Sequence, residues 1–227
     1  MGRIELIVGP MFAGKSTELL RRVRRHEIAK KKCILLKHSI DTRYNNEQLI
    51  TTHDKNTRMA LPTDKLMAAA HIIEEYDVIG IDEGQFFPDI KEFAEYAANK
   101  NKVVIVAALD GTFERKTFGD VCELIPKAEK VTKLLAVCAQ CQADAAFSKR
   151  LTQETSTVCV GGAEKYIAVC RECYFDTTTT PTKKKQQQQQ QEQEKKEEEE
   201  TPNFVTETPQ QHMLTAEQLS DEEEEEA

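Results

Sequence analysis

The spacing of apolar residues changes character repeatedly through the first half of the chain. Residues 4–8, Ile-Glu-Leu-Ile-Val, are a short, mostly apolar run of β-formers and predict a buried strand. The run breaks at Gly9. From Ser16 to about Lys32 the apolar positions take a helical period. Leu19, Leu20 and Val23 share one arc of the helical wheel, and Arg21, Arg22, Arg24 and Arg25 read as its opposite, solvated arc. Glu18 precedes Arg22 by four residues, the spacing at which helical side chains pair. Residues 33–37 predict a second strand, 38–57 are polar and irregular, 63–76 predict a helix, and 77–81 predict a third strand. Pro88 suits the first position of another helix, with Ile90, Phe93 and Ala97 along one face. Residues 103–109 are apolar throughout, as in a parallel strand covered on both faces.

Strands alternating with helices over residues 4–109 predict an α/β fold, a parallel sheet flanked by helices, in a domain spanning residues 1–132. Beyond it the segments shorten and cysteine pairs appear, which predicts a small lobe of strands and loops over residues 133–176. Residues 177–227 are low in complexity, with glutamine and glutamate runs. Such a composition buries too little apolar surface to offset ordering entropy, so a disordered tail is expected.

Charge sharpens this division. The 227-residue chain carries 31 Lys+Arg and 39 Asp+Glu, a net charge of −8. Residues 177–227 hold 5 basic and 14 acidic residues, and residues 1–176 the other 26 and 25. A near-neutral body lacks the positive surplus of a duplex-DNA binder. The acidic tail repels nucleic acid and anionic membranes alike. The longest apolar run, residues 103–109, is far short of the ~20 residues that span a bilayer. Neither nucleic acid nor membrane is an expected partner. Seven cysteines without a secretion signal read as reduced thiols or metal ligands, which points to the cytoplasm.

The chemistry begins where the first strand ends. Gly9, Pro10, Met11, Phe12, Ala13, Gly14, Lys15 and Ser16 fit G-x-x-x-x-G-K-[ST] between a predicted strand and a predicted helix. Such a loop turns backbone N–H groups inward, and the helix N-terminus adds partial positive charge. Lys15 then reaches the β- and γ-phosphates, and Ser16 ligates Mg²⁺. ATP with Mg²⁺ is the expected cofactor pair. Asp82 and Glu83 end the third strand, where open α/β sheets place their ligands. Two adjacent carboxylates allow two tasks, magnesium for Asp82 and proton acceptance for Glu83. Asn101-Lys102 is followed by Val103-Val104, so no guanine reader is present.

Cys138-x-x-Cys141 and Cys170-x-x-Cys173 supply four thiolates, a closed tetrahedral shell for a structural Zn²⁺. Cys33 and Cys122 lack such partners and read as small core hydrophobes. The five histidines show no ligand spacing. Two further classes fit parts of this pattern. One is a P-loop ATPase whose zinc ribbon handles nucleic acid, and the other an inactive relative kept as a scaffold.

Taken together, residues 9–20, Asp41-Thr-Arg43, residues 81–88, residues 108–113, Gly161-Gly162 and the four paired cysteines resemble the thymidine kinase family of the cellular, zinc-containing P-loop type. The resemblance covers about residues 3–175. It implies a RecA-like P-loop sheet with a zinc lobe, and transfer of the ATP γ-phosphoryl group to the 5′-hydroxyl of thymidine. Glu83 falls on the catalytic base. Residues 9–16, Asp41, Thr42, Arg43, Asp82, Glu83, Gly84 and Gln85 fall on nucleotide and phosphate contacts. Phe113 packs on the nucleoside. Thr157, Val158, Cys159, Val160, Gly161 and Tyr166 belong to the loop over the base, with Cys159 standing where an aliphatic residue is expected. A homotetramer and inhibition by dTTP are further implications.

Overall fold

The computed structural model describes residues 1–40, 49–51, 57–152, 156 and 161–176. Met1–Thr177 forms one compact unit. The second unit, Thr178–Ala227, and with it the expected disordered tail, lies outside the described residues.

The strands and helices run β1 (Arg3–Val8), α1 (Lys15–Ile28), β2 (Cys33–His38), β3 (Leu49–Thr51), β4 (Thr57–Met59), β5 (Leu61–Thr63), β6 (Val78–Ile81), α2 (Ile90–Asn99), β7 (Val103–Ala108) and β8 (Lys130–Lys133). Then come β9 (Ala136–Val137), β10 (Asp144–Ala145), β11 (Phe147–Arg150), β12 (Tyr166–Val169) and α3 (Arg171–Phe175). The main sheet is six-stranded, ordered β5-β2-β6-β7-β1-β8, with parallel pairing throughout.

Alternation along the strands builds two cores. Ile4, Leu6, Leu36, Ile79, Ile81, Val104 and Val106 pack with Ile90, Phe93, Ala94 and Ala97 of α2. Ile7, Leu35, Val78, Ile105 and Ala107 pack on the other face with Leu19 and Val23 of α1. β7 is buried at every position because a helix covers each face.

Several local expectations change. Residues 63–76 do not form an α-helix. They end β5 and then make two 3₁₀ segments, Leu66–Ala69 and Ile73–Glu75. Leu66, Ala69 and Ile73 are buried at helical spacing, so the short turns satisfy the period that suggested a helix. Pro88 stands before the cap of α2, because Asp89 is the N-cap. The Asp89 carboxylate instead accepts the N–H groups of Leu66 (3.2 Å) and Met67 (2.9 Å). β3, inside the stretch read as irregular, pairs antiparallel with β4, which begins at the last residue of that stretch. β8 spans residue 132 and adds a sixth strand beside β1.

Arg22 is the largest departure. It is 6% exposed instead of solvated. Its guanidinium bonds Glu18 (2.7 Å), as the i,i+4 spacing predicts, and also Glu5 (3.0 Å) and Thr132 (3.0 Å). One side chain thereby ties α1 to β1 and β8. Burial raises the Glu5 carboxyl, but Arg3 and Arg22 outweigh it and hold it below its ordinary value. The hydrogen bond from Arg21, helped by Arg22 against burial, holds Glu18 at about 2.

Arg22→Met is expected to cost about 3 kcal/mol at neutral pH, the scale for breaking a buried pair from one side. Both carboxyl groups are depressed, so their contribution is complete above the ordinary 4.5 and is lost as pH falls toward 2. Urea midpoints of parent and variant should converge over that window. An unchanged gap at pH 2.5 would reject the ion pairs as its source.

Candidate active site

The phosphate loop takes its shape from left-handed backbone. Gly14, the N-cap of α1, has φ 75°, and Gly9 has φ 148°. A Cβ on Gly9 would meet the Leu134 carbonyl oxygen at 2.3 Å, so only glycine fits there. The Lys15 ammonium donates to the Pro10 carbonyl oxygen at 2.7 Å, which folds it over the loop. Ser16 Oγ donates to Asp82 Oδ1 at 3.0 Å. The structure thus joins the loop to the end of β6, as the sequence led one to expect. Two oxygen donors at this separation suit a hard divalent cation such as Mg²⁺.

Glu83 follows, half-buried, with φ 52° at the N-cap of the 3₁₀ turn Gly84–Phe86. A left-handed non-glycine residue stores strain of about 1–3 kcal/mol, which surrounding contacts must hold. Gln85 supplies them. Its Nε2 donates to Glu83 Oε2 at 2.5 Å, and its Oε1 accepts the Leu109 N–H at 2.9 Å. The Gln85 side chain is buried and engaged with Glu83 and with Leu109, the residue after β7. Gly84 is packed so closely that a Cβ would lie 2.8 Å from Val106 Cγ1.

The cysteine lobe meets this loop directly. Met11 N–H donates to Ser148 Oγ on β11 at 2.9 Å. Phe12 and Ala13 pack on the small core formed by Ala136, Cys138, Ala145, Ala168 and Val169. β11 and β12 pair antiparallel, with Ser148 opposite Ala168 and Arg150 opposite Tyr166. Arg150 and Tyr166 are hydrogen-bonded, and Phe113 lies against the Arg150 guanidinium. The Phe113 carbonyl accepts the Tyr174 hydroxyl at 2.6 Å. Phe113 and Tyr166 are thereby brought together. Gly161 is half-buried. Asp41, Thr42, Arg43, Thr157, Val158, Cys159 and Val160 lie outside the described residues.

The Sγ atoms of Cys138, Cys141, Cys170 and Cys173 all lie within 4.8 Å of one another. Cys141 and Cys170 are 3.6 Å apart, close to the ~3.8 Å edge of a tetrahedron with Zn–S bonds of about 2.3 Å. Burial pushes the Cys138 thiol up, but N–H groups of Cys141, Cys170 and Gln140 outweigh it and bring it to about 6. The donors, spacing and supporting N–H groups all fit zinc. Burial raises the thiols of Cys33, to about 11, and Cys122, which suits half-buried packing groups.

Sequence reasoning missed Ser148, Arg150 and Tyr174. Residues 148–150, Ser-Lys-Arg, are polar without alternation, and nothing local says that Tyr166 stands opposite Arg150 or that Met11 meets Ser148.

Comparison with known proteins agrees with the geometry. The family model described as thymidine kinase matches residues 2–174. A thymidine kinase of Myxoma virus (strain Lausanne) is 58% identical over 174 residues, 77% of this chain and 97% of the relative. Those of Variola virus and of Vaccinia virus (strain Western Reserve) are 56% identical over 176 residues, 78% of this chain and 98% of each relative. With a P-loop closed onto Asp82, a four-cysteine cluster and a match across its whole described body, the chain belongs to the thymidine kinase family.

Proposed function

We propose that this chain moves the γ-phosphoryl group of ATP onto the 5′-hydroxyl of thymidine, giving dTMP, with Glu83 as general base. One observation carries the reading beyond family membership. The Ser16–Asp82 hydrogen bond puts an oxygen ligand pair one residue away from a carboxylate that Gln85 holds in place. Residues 1–132 bind the nucleotide in this reading, and residues 133–176 form the zinc lobe beside the nucleoside.

Phosphoryl transfer asks mainly for positioning and charge neutralisation. Backbone N–H groups of residues 9–16 cradle the phosphates, and Lys15 exchanges the Pro10 carbonyl for β- and γ-oxygens. Ser16 and Asp82 hold Mg²⁺, which when bound neutralises charge on those oxygens. Glu83 accepts the 5′-hydroxyl proton as the new P–O bond forms. Gln85 Nε2 holds the carboxylate in place through its Oε2. Gln85 therefore serves the phosphate site through Glu83. Phe113 packs on the nucleoside. Asp41, Thr42, Arg43 and residues 157–161 take the roles that the family resemblance implies, as do dTTP inhibition, a homotetramer and a cytoplasmic location. No helix among the described residues is long and apolar enough to cross a membrane.

Incubation with labelled ATP, Mg²⁺ and a panel of nucleosides should yield labelled dTMP as the main product. ATP hydrolysis stimulated by DNA or RNA, with no labelled nucleotide formed, would favour the nucleic-acid ATPase instead.

A further inference from the structure

We propose that Arg150 is the positioning residue of the nucleoside pocket, setting both the plane of the Phe113 ring and the place of the Tyr166 hydroxyl. The proposal rests on the thymidine reading above and adds a residue to it.

Arg150 ends β11 and is 9% exposed. Burying a guanidinium is costly unless its donors are engaged. Here all three nitrogens are. Nη2 and Nε donate to the Tyr166 hydroxyl oxygen at 2.6 and 3.2 Å, a two-pronged grip on one atom. Nη1 donates to the Ser156 carbonyl oxygen at 2.6 Å. The flat face is used as well, since Cζ lies 3.8 Å from the Phe113 ring centroid. That distance is a stacking contact, available to a planar guanidinium and not to a compact ammonium.

The fold leaves little freedom at either end of this contact. Ser148, two positions earlier on the same strand face, is pinned to the phosphate loop through Met11. Two residues of strand span about 7 Å, so Arg150 sits at a set reach from the loop that holds ATP. The Phe113 backbone is held independently by Tyr174. The chain thus fixes the main chain of Phe113 from α3 and its ring from β11. A side chain that touches neither reacting oxygen then decides how the nucleoside is received. Losing it should weaken thymidine binding without disturbing phosphate chemistry.

Arg150→Lys keeps charge and stem but has one nitrogen where three are used. It is expected to raise the thymidine KM about tenfold, the scale of lost hydrogen bonds to a charged group. The ATP KM, kcat at saturating thymidine and zinc content should stay within about twofold of the parent, an effect too small to count as one hydrogen bond. Arg150→Ala should show a larger KM rise, partly reversed by millimolar ethylguanidinium. An active parent with an unchanged thymidine KM in Arg150→Lys would overturn the proposal and leave the kinase reading intact. A parent that phosphorylates no nucleoside would overturn both. Variants that both fail to fold, or that lose ATP and thymidine affinity together, would make Arg150 a stability residue and overturn the proposal too.

Discussion

Glu83→Gln is expected to fold, bind ATP and lose kcat by about 10²–10⁴-fold. The argument rests on what the substitution leaves in place. Gln85 Nε2 donates to a Glu83 carboxylate oxygen, and a glutamine at 83 presents a carbonyl oxygen at the same reach. The anchor from Leu109 N–H through Gln85 is untouched. Side-chain size and the left-handed turn are retained, so only charge and basicity go. The loss corresponds to about 3–5 kcal/mol of barrier at roughly 1.4 kcal/mol per tenfold. ATP affinity should change little, because the P-loop and the Ser16–Asp82 bond are separate from it. Asp82→Asn offers the contrast. It weakens an oxygen ligand, so its defect should appear as a raised Mg²⁺ requirement and be partly recovered at high Mg²⁺. Steady-state kinetics across Mg²⁺ concentrations separate the two. A Glu83→Gln enzyme with near-parental kcat would remove Glu83 from the role of base.

Loss of zinc is expected to have the next largest effect. Purified protein should hold one Zn²⁺ per chain, and Cys170→Ser should hold far less. The lobe's own apolar core is small, five buried residues with a few half-buried neighbours, so metal binding must supply much of its folding energy. Cys170 caps α3, accepting the Cys173 N–H at 3.5 Å, and Tyr174 of that helix holds the Phe113 carbonyl. Without the metal this path to the nucleoside pocket loosens, and turnover of thymidine should fall about a hundredfold, the scale of lost positioning. Nucleoside affinity should suffer first. The phosphate loop does not escape, however, since Met11 bonds Ser148 and Phe12 and Ala13 pack on the lobe. ATP affinity should therefore decline as well, by a smaller factor. Metal analysis beside thymidine and ATP titrations tests this. Full zinc content and an unchanged thymidine KM in Cys170→Ser would refute the ligand assignment.

The parts of this protein that were legible in advance are those whose physics is local. A strand, two glycines, Lys15-Ser16 and a helix occupy neighbouring positions, so the phosphate loop follows from chain geometry within a few residues. Each C-x-x-C likewise places two sulfurs from one turn, and four thiolates have few other uses in a body this small. β7 was plain because six consecutive buried positions require cover on both faces. Helical spacing was less decisive. Leu66, Ala69 and Ile73 meet the core at that spacing through 3₁₀ turns, because burial constrains where side chains land and not which hydrogen bonds carry them.

Tertiary structure decided everything that depends on partners far apart in the chain. Arg22 looked like one of four solvated arginines until β1 and β8 brought Glu5 and Thr132 beneath it. That the Gln85 amide lies between Glu83 and Leu109 was likewise invisible in the sequence. Met11 and Ser148 are 137 positions apart, and Phe113 and Tyr174 are 61 apart. Periodicity carries no record of such pairings, because it reports which face of an element is apolar and says nothing of what packs there. The amino-acid sequence by itself determined the α/β class, the phosphate loop, the carboxylate pair and the two cysteine pairs of a cluster that could hold a metal, since each arises within one or two turns of chain. The order of the sheet, the hold on Glu83 and the Arg150 grip on Phe113 and Tyr166 arose only when the strands came into register.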